Sequence, residues 1–228
     1  MTLNSILTKV VLADSQRKSR FHTGSGQLVL TVDILPAFIS SVARAVLGRR
    51  PNLPWLTYPA IRFLANRLQG RRLFEFGSGS STLWYADRAS EVYSIENDGE
   101  WFADIQQQIA PKVNCHLTLA KTDSDLLEAV SVAGGRFDAI VIDSRPMSGE
   151  FKSTDDFRVA CLRSAVPYAS KDCLFVIDNT DVLPALNREV ERTFFGKSIC
   201  RLRGWVPGAF HPSETTIVVH RAPQAELK

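Results

Sequence analysis

From residue 71 onward, short apolar runs alternate with longer amphipathic segments, and no other feature of the sequence constrains the fold as strongly. The predicted strands are RRLFEF, EVYSIE, KVNCHLTLA, FDAIVID and DCLFVID, and a helical pattern follows each of them. Strands that alternate with helices form right-handed βαβ units around a parallel sheet. The runs AIVI and LFVI are apolar at successive positions, which is typical of strands buried on both faces.

Two more predicted strands, KSICRLRGWV and ETTIVVHR, follow with only a loop between them. Consecutive strands joined by a loop pair most easily in the antiparallel direction. The sequence therefore predicts an α/β fold of five βα units followed by an antiparallel hairpin at one edge of the sheet.

The first 70 residues lack this alternation and are predicted to form an N-terminal arm and a helical cap. Residues 1–31 fit a helix or an irregular arm followed by an extended piece, QLVLTV. Helices are predicted over 33–48 and 59–69. We expect residues 1–70 to belong to the same domain as the core at 71–228 and to cover its ligand crevice as a lid.

Charge and cysteine usage disfavour several classes of protein. The net charge is +3, and the basic clusters LGRRP and GRRLF are too mild to indicate a nucleic-acid partner. The cysteines include no C-x-x-C pair, so we expect buried free thiols rather than a zinc site. They are Cys115, Cys161, Cys173 and Cys200.

The longest apolar-rich run, VDILPAFISSVARAVLG, contains Asp33, Pro36 and Arg44. It is too short and too charged to be a predicted membrane span, so we expect no membrane partner. The first twenty residues show neither a basic leader nor a small-residue cleavage site. We therefore expect a cytoplasmic protein.

The stretch LFEFGSGSST places Glu75 at the end of the first predicted strand and Gly77 and Gly79 at the turn into the next helix. Glycine permits a tight turn and close approach of a ligand, and the helix N-terminus offers free N–H groups. The dinucleotide fingerprint G-x-G-x-x-G fails because Thr82 holds its third position, and a P-loop would need a lysine. A carboxylate beside the turn repels phosphate and attracts a cation.

Glu96 ends the second predicted strand, 21 residues after Glu75. An acid at this place can accept both hydrogens of a ribose diol. Each acid also has a structural alternative, because Glu75 could cap the glycine loop and Glu96 could cap the next helix through ENDGE. The two acids together, at this spacing, favour ligand binding.

The segments FEFGSGSST, SIE and FDAIVIDS, with the terminal strand pair, resemble the class I S-adenosylmethionine-dependent methyltransferases over about residues 71–221. The likeness is greatest to a bacterial branch with an FE-G-SG-ST-W loop. The resemblance implies a Rossmann-like three-layer sandwich with a seven-stranded, mostly parallel sheet in the order 3-2-1-4-5-7-6 and an antiparallel strand 7. It also implies S-adenosyl-L-methionine as cofactor, which brings an ammonium and a sulfonium group and no phosphate.

The same resemblance implies a set of cofactor-binding residues. An acid after strand 3 or 4 would hold the adenine amino group, and Asp123 is the nearest match, although it could instead cap a helix in TDSD. The predicted cofactor-binding residues are Glu75, Gly77, Ser78, Gly79, Ser81, Thr82, Glu96, Asn97, Asp123 and Asp143.

Asp143 ends the fourth predicted strand, and Asp178 and Asn179 end the fifth. Because parallel strands all point one way, these side chains are expected at the same edge as the glycine loop, where they could hold Mg²⁺. This arrangement resembles the catechol-type O-methyltransferases, in which a lysine base lies three residues after the first acid. Pro146 stands at that position, so binding of loop backbone or substrate without metal is the alternative.

The predicted catalytic residues are Asp143, Asp178 and His211, and His211, in the loop GWVPGAFHPSE, is a candidate general base. Its alternative is an ordinary exposed loop histidine. Five aromatic residues are candidates for lining the acceptor pocket, with ordinary packing as their alternative. They are Trp55, Tyr58, Phe63, Trp205 and Phe210.

The sequence thus predicts a methyltransferase that acts on a hydroxyl of a small molecule or sugar-type acceptor, and a homo-oligomer stays open. Methylation of DNA bases is disfavoured because DSRP stands where [DN]-P-P-[YFW] would follow strand 4. An NAD-dependent oxidoreductase and a non-catalytic cofactor-binding module are the alternatives.

Overall fold

The computed structural model describes residues 17–49, 51–147 and 149–219, and a seven-stranded sheet organises them. The strands are β1 Arg72–Phe76, β2 Glu91–Glu96, β3 Cys115–Leu119, β4 Phe137–Ile142, β5 Ala169–Ile177, β6 Ser198–Trp205 and β7 Pro212–Val219. The helices are α1 Ile34–Leu47, α2 Tyr58–Ala65, α3 Ser80–Ala86, α4 Gly99–Ile109, α5 Asp123–Val132, α6 Thr154–Ala165 and α7 Pro184–Thr193.

The strand order is β3-β2-β1-β4-β5-β7-β6. Strands β1 to β5 pair in parallel, and β7 runs antiparallel to both β5 and β6. The predicted α/β fold, its strand order and its antiparallel strand 7 are therefore confirmed. The chain moves outward from β1 in one direction to β2 and β3 and then in the other to β4 and β5, so a crevice opens at the carboxyl ends of these strands.

Apolar side chains fill both faces of the sheet. On one face, Phe74 and Phe76 of β1 pack with Phe137 and with buried residues of α5, α6 and α7. On the other face, Leu73 and Val141 pack with buried residues of α2 and α3. Because successive strand residues point to opposite faces, burial on both sides explains the continuous apolar runs in the sequence.

Several predicted helices end earlier than the sequence suggested. The helix predicted to run to Gln69 ends at Ala65, where Asn66 leaves helical geometry. The sequence also predicts a helix over roughly 154–169, and in the structure this helix ends at Ala165, because Pro167 cannot continue the backbone hydrogen bonds and a 3₁₀ turn follows over Val166–Tyr168. The predicted extended piece QLVLTV contributes only an isolated bridge between His22 and Leu28.

The N-terminal extension, residues 17–49, contacts the core through polar and aromatic side chains. Its helix α1 confirms the prediction over 33–48, with Gly48 in the left-handed conformation at the C-cap. Trp205 Nε1 donates to Val29 O at 3.2 Å, and Arg44 Nη1 donates to Gly208 O at 2.9 Å. The part of the predicted arm at residues 1–16 lies outside the described residues.

Two expectations drawn from composition have a structural counterpart. Cys161, Cys173 and Cys200 are buried free thiols, whereas Cys115 is partly exposed. In the part of the chain that the structure describes, no helix combines the length and apolar character that a bilayer crossing requires.

Candidate active site

The glycine loop between β1 and α3 is held against two neighbouring strands. The backbone N–H of Gly77 donates to Ile95 O at 2.9 Å, which ties the loop to β2. Gly77 has a φ of +93°, and a Cβ at this position would lie 3.2 Å from backbone atoms of Asp143 and Ser144. The fold itself therefore requires glycine at this position, because the loop after β4 passes directly beside it.

Gly79 has a different environment. Its φ of 174° is extended backbone that any residue adopts. A Cβ at Gly79 would make only ordinary contacts, the nearest being Ser81 Oγ at 3.6 Å and Trp101 at 3.7 Å. No neighbouring group forces a glycine here, so its missing side chain leaves the loop backbone open to a ligand.

Glu75 supports the loop from behind. Its buried carboxylate accepts hydrogen bonds from Ser81 Oγ at 2.5 Å, Thr82 Oγ1 at 2.6 Å and Ser94 Oγ at 2.8 Å. Burial raises the pKa of Glu75 to about 7, and the three hydroxyl donors oppose this shift. These contacts match the alternative in which Glu75 caps the glycine loop.

Glu96 joins the end of β2 to the glycine loop. Its Oε2 accepts from the backbone N–H and the hydroxyl of Ser78, both at 2.9 Å. Its Oε1 accepts from the backbone N–H groups of Asn97 and Asp98 at 2.8 and 2.9 Å. The side chain that caps α4 belongs to Asp98, so the alternative that Glu96 caps this helix is wrong.

The loop after β4 forms the opposite wall of the crevice and is held by two predicted site residues. Asn97 Nδ2 donates to Arg145 O at 2.6 Å. Asp123 Oδ1 accepts from the backbone N–H of Met147 at 2.8 Å, while the cap of α5 is Thr122. The structure thus joins the loops after β2, β3 and β4 through residues that the sequence had assigned to one cofactor site.

Arg158 of α6 connects the ends of β4 and β5. Its guanidinium donates to Asp143 Oδ1 at 2.6 Å, to Ser144 O at 2.9 Å and to Asp178 O at 2.8 Å. Its side chain is 3% exposed, whereas that of Asp143 is 35% exposed. The buried guanidinium of Arg158 therefore lies between the ends of β4 and β5, which carry Asp143 and Asp178.

Asp178 is the more deeply buried of the two acids. Burial, followed by the neighbouring Asp143 charge, raises the pKa of Asp178 well above its usual range. Its Oδ1 accepts from Thr215 Oγ1 at 2.8 Å. Burial also raises the pKa of Asp143, and the charge and hydrogen bond of Arg158 oppose this shift.

Each of the three predicted Mg²⁺ ligands has a protein partner in the structure. Asn179 Nδ2 donates to Ser213 Oγ at 3.2 Å, Asp178 is engaged by Thr215, and Arg158 supplies the positive charge. Among the residues that the structure describes, no group of three or more His, Cys, Asp or Glu side chains could hold a metal ion.

Asn179 has a φ of +57°, unusual for a residue other than glycine, so the turn after β5 is conformationally restrained.

His211 directly precedes β7, and its Nδ1 lies 3.3 Å from Pro212 O. Because β7 is antiparallel to β5, with Ile177 opposite Thr216, the start of β7 extends past the carboxyl end of β5. His211 therefore lies on the same edge of the sheet as the glycine loop. Its assignment as a general base stays a prediction.

The aromatic candidates have packing partners. Trp205 is buried against Val29 and Ala37, and Phe210 packs edge-to-face on Phe38 at 5.9 Å. Tyr58 packs against the cluster that contains Trp205. Tyr58 and Phe63 also pack against the core on the side of the sheet that α2 covers. The backbone N–H of Thr57, which precedes Tyr58, donates to Thr215 Oγ1 at 3.1 Å, so α2 begins beside the residue that donates to Asp178.

Arg158 and Trp101 are site residues that the sequence interpretation missed. Arg158 lies among buried residues of α6 such as Phe157 and Cys161, and a charged residue in an apolar helical stripe indicates a buried ion pair. Trp101 Nε1 donates to Ser78 O at 2.8 Å. No signal in the sequence distinguished Trp101 from an ordinary packing residue of α4.

Together, a mostly parallel sheet with helices on both faces and a glycine loop at the crevice define a Rossmann-like fold. No protein-family model matches the sequence, and no curated protein does. Solved structures do match. The O-methyltransferase from Bacillus cereus in complex with SAH is 17% identical, with a TM-score of 0.58 over 82% of this chain and 99% of that chain.

Two further matches extend this likeness. The O-methyltransferase TomG from Streptomyces achromogenes, in complex with SAM and involved in tomaymycin synthesis, is 16% identical, with a TM-score of 0.56 over 86% of this chain and 92% of that one. A methyltransferase from Pyrococcus furiosus is 20% identical, with a TM-score of 0.50 over 84% of this chain and 100% of that one. The chain spans about half the length of two other matching structures, at 48% and 47%. At these identities the likeness shows the fold, which is that of the class I S-adenosylmethionine-dependent methyltransferases.

Proposed function

We propose that this protein is an S-adenosylmethionine-dependent methyltransferase that acts on a hydroxyl group of a small molecule. The observation that carries the proposal is the pair of strand-end acids around the glycine loop, with Glu75 buried behind it and Glu96 bonded to Ser78. Acids at this place disfavour a phosphate-bearing ligand and suit a cationic one. The likeness to O-methyltransferases supports the choice of oxygen as acceptor atom.

The residues present fit this cofactor. Gly79 leaves the loop backbone open where a side chain could stand, and the four loops around the crevice are held together by Glu96, Asn97 and Asp123. Glu96 would hold the ribose hydroxyls, and Asp123 the adenine end. When bound, S-adenosylmethionine supplies a methyl group activated by a sulfonium.

The protein's own contribution is to position the acceptor and to manage its proton. In-line methyl transfer from a sulfonium releases a neutral leaving group, so alignment of acceptor and cofactor accounts for most of the rate enhancement. Asp143 is partly exposed, and its backbone lies beside the loop that carries Gly77. We assign it to binding the acceptor or the cofactor's cationic end, and Asp178 to holding the turn after β5 in place.

His211 remains the candidate base for the acceptor hydroxyl, because it is partly buried and lies on the carboxyl edge of the sheet. An imidazole in its neutral form can accept this proton at neutral pH. A reaction that uses this base needs no metal, in line with the Arg158 ion pair at the predicted Mg²⁺ position.

The test begins with calorimetric titration of the protein with S-adenosylmethionine and, separately, with NADH. We expect binding of the first and none of the second. Glu96→Gln should weaken binding by about 1.5–3 kcal/mol, because the ribose hydroxyls and Ser78 lose a charged acceptor. Glu100→Gln, at an exposed position in the next helix, is the control and should bind normally.

Activity is then measured as transfer of a radiolabelled methyl group to a panel of hydroxyl acceptors, with and without EDTA. We expect transfer that EDTA does not affect. Binding of NADH in place of S-adenosylmethionine would overturn the proposal in favour of an oxidoreductase. Cofactor binding without transfer to any acceptor class would leave the non-catalytic module as the function.

A further inference from the structure

The outward side of helix α1 is apolar and exposed. Arg44 is the only charged residue among the fourteen of this helix, ILPAFISSVARAVL. Ala37 and Ser41 are buried against the protein. We call the opposite side the outer face of α1, and it consists of Leu35, Phe38, Ile39, Val42, Val46 and Leu47.

The outer face follows from helical spacing. Leu35, Ile39, Val42 and Val46 stand at positions i, i+4, i+7 and i+11, which places them in one stripe along the helix. Leu35 is 66% exposed, Ile39 59% and Val46 56%. A helix that is apolar all round is normally buried on every side, so the outer face of α1 indicates a missing contact.

The segment before α1 adds to this surface. Leu28, Leu30 and Val32 are exposed, whereas Val29 between them is buried. In extended backbone, alternate residues point to the same side. Nine of the fifteen exposed large hydrophobic side chains in the described residues lie between Phe21 and Leu47, so the exposure is concentrated in the N-terminal extension.

The charges around this surface are predominantly positive. The extension at 17–49 contains a single acid, Asp33, and its carboxylate is neutralised by Arg62 at 2.8 and 3.0 Å. The basic residues of the extension are Arg17, Lys18, Arg20, Arg44 and Arg49. Arg17 is buried beside Asp181, while Lys18 and Arg49 are exposed.

Two of these cations adjoin the outer face of α1. Arg20 lies 5.9 Å from the ring centroid of Phe210, and Phe210 packs edge-to-face on Phe38 of the outer face. Arg49 follows Leu47 by two residues. The apolar stripe thus has positive charge near its side and at its C-terminal end.

A second copy of the chain or an anionic bilayer would each cover this surface. A two-fold interface places the same surface on both subunits, so basic side chains would meet basic side chains. An anionic lipid surface instead attracts the cations while the acyl region receives the apolar side chains. We propose that the outer face of α1 docks the protein onto the surface of an anionic lipid bilayer.

With 14 residues, α1 is too short to span a bilayer and would lie in its plane. The proposal concerns peripheral binding and does not depend on methyl transfer.

The experiment is co-sedimentation of the full-length protein with vesicles of phosphatidylcholine alone and of phosphatidylcholine mixed with phosphatidylglycerol. We expect binding to the mixed vesicles that weakens as salt is added, because the cations act over about one Debye length. Ile39→Asp should reduce partitioning at least tenfold. Lys18→Glu and Arg49→Glu should each reduce it about fivefold or more.

Val132→Asp, at an 82% exposed apolar position on α5, is the matched control and should bind as the unaltered protein does. Circular dichroism verifies that each variant is folded. Absence of binding to the mixed vesicles overturns the proposal, and a dimer in analytical ultracentrifugation would then assign the surface to a second copy. Equal binding to neutral vesicles, or unchanged binding of Ile39→Asp, also overturns it.

Discussion

One residue separates Gly77 from Gly79, and the two glycines have different structural roles. Gly77 has a positive φ, and a Cβ there would press on the backbone of Asp143 and Ser144. Neither neighbour can move as a flexible side chain does. We therefore expect Gly77→Ala to lower the free energy of unfolding by about 1–3 kcal/mol, measured by urea denaturation.

Gly79→Ala is the informative partner of this variant. The extended φ and the ordinary contacts predict that its stability stays within about 0.5–1 kcal/mol of the unaltered protein. Its affinity for S-adenosylmethionine should nevertheless fall at least tenfold in calorimetry, because a methyl group occupies the ligand's approach. A Gly79→Ala protein with unchanged affinity would show that this glycine does not contact the cofactor.

The carboxyl group of Glu75 makes stability depend on pH. Its pKa is about 7 in the folded protein against an ordinary value of 4.5, so the folded state binds this proton more tightly than the unfolded chain does. The resulting stabilisation is complete below about pH 4.5 and is lost as pH rises to about 7. Between pH 5 and 8, Glu75 should account for a fall of roughly 2–3 kcal/mol in the free energy of unfolding.

Urea denaturation at pH 5 and pH 8 checks this expectation. In the Glu75→Gln protein, the free energy of unfolding should fall less between pH 5 and pH 8 than in the unaltered protein. Part of the fall should remain, because the raised pKa of Asp178 gives a pH dependence of the same sign. Glu128→Gln, at an exposed position on α5, should leave the fall unchanged. An equal fall in the Glu75→Gln protein would contradict the assigned pKa.

Among the elements, α6 holds the ends of β4 and β5 through one side chain. Arg158→Met would leave Asp143 without its cation and two carbonyl oxygens, of Ser144 and Asp178, without their donor. We expect a loss of about 3–5 kcal/mol in the free energy of unfolding. Arg163→Met, on the same helix with a 61% exposed side chain, should lose no more than about 1 kcal/mol.

A double-mutant cycle tests whether the ion pair is the cause. In the Arg158→Met background, Asp143→Asn should cost much less than it does alone, with a coupling energy of about 0.5–3 kcal/mol. Additive effects of the two substitutions would instead assign the loss to the packing of the Arg158 side chain.

The elements of the sheet could be predicted because burial on both faces requires continuous apolar runs. The segments FDAIVID and DCLFVID, with their apolar runs AIVI and LFVI, therefore indicated β4 and β5, whereas the strand order was implied by the resemblance. The ends of helices were less predictable, since the turn at Asn66 depends on tertiary contacts rather than on a glycine or proline signal. The alternative role of Glu96 as a helix cap could not be decided from the sequence for the same reason, because only the structure shows that Asp98 caps α4.

The candidate site was predictable as a location and less so as a set of contacts. Parallel topology places Gly77, Glu96 and Asp143 at one edge whatever their side chains do. Their partners come from distant parts of the sequence, as Arg158 and Thr215 do for the two strand-end acids. Side chains brought together by the fold have no fixed spacing, so the sequence did not indicate the guanidinium that lies beside Asp143.

At the scale of the whole molecule, the N-terminal extension is fastened to the core at Asp181. This carboxylate accepts from Ser213 Oγ at 2.9 Å and from the backbone N–H of Glu214 at 3.2 Å. It also accepts from the backbone N–H of Gly24 and lies 3.4 Å from Arg17 Nη1. One buried side chain thus joins the extension, the turn after β5 and the start of β7.

Asp181→Asn tests whether the extension and the core form one folding unit, as the sequence predicts. The substitution keeps the shape of the side chain but removes the charge that Arg17 requires and places an amide donor against other donors. We expect a loss of about 2–4 kcal/mol. Asp104→Asn, at an exposed position on α4, is the control and should be neutral.

Hydrogen exchange measured by mass spectrometry reads the two regions separately. If they form one unit, peptides covering 34–47 and 91–96 should lose protection together in the Asp181→Asn protein, because opening of the extension exposes Trp205 at the end of β6. Loss of protection confined to 34–47 would instead mean that the extension opens on its own. In that case its docking on the core becomes an equilibrium that the acceptor or a membrane surface can shift.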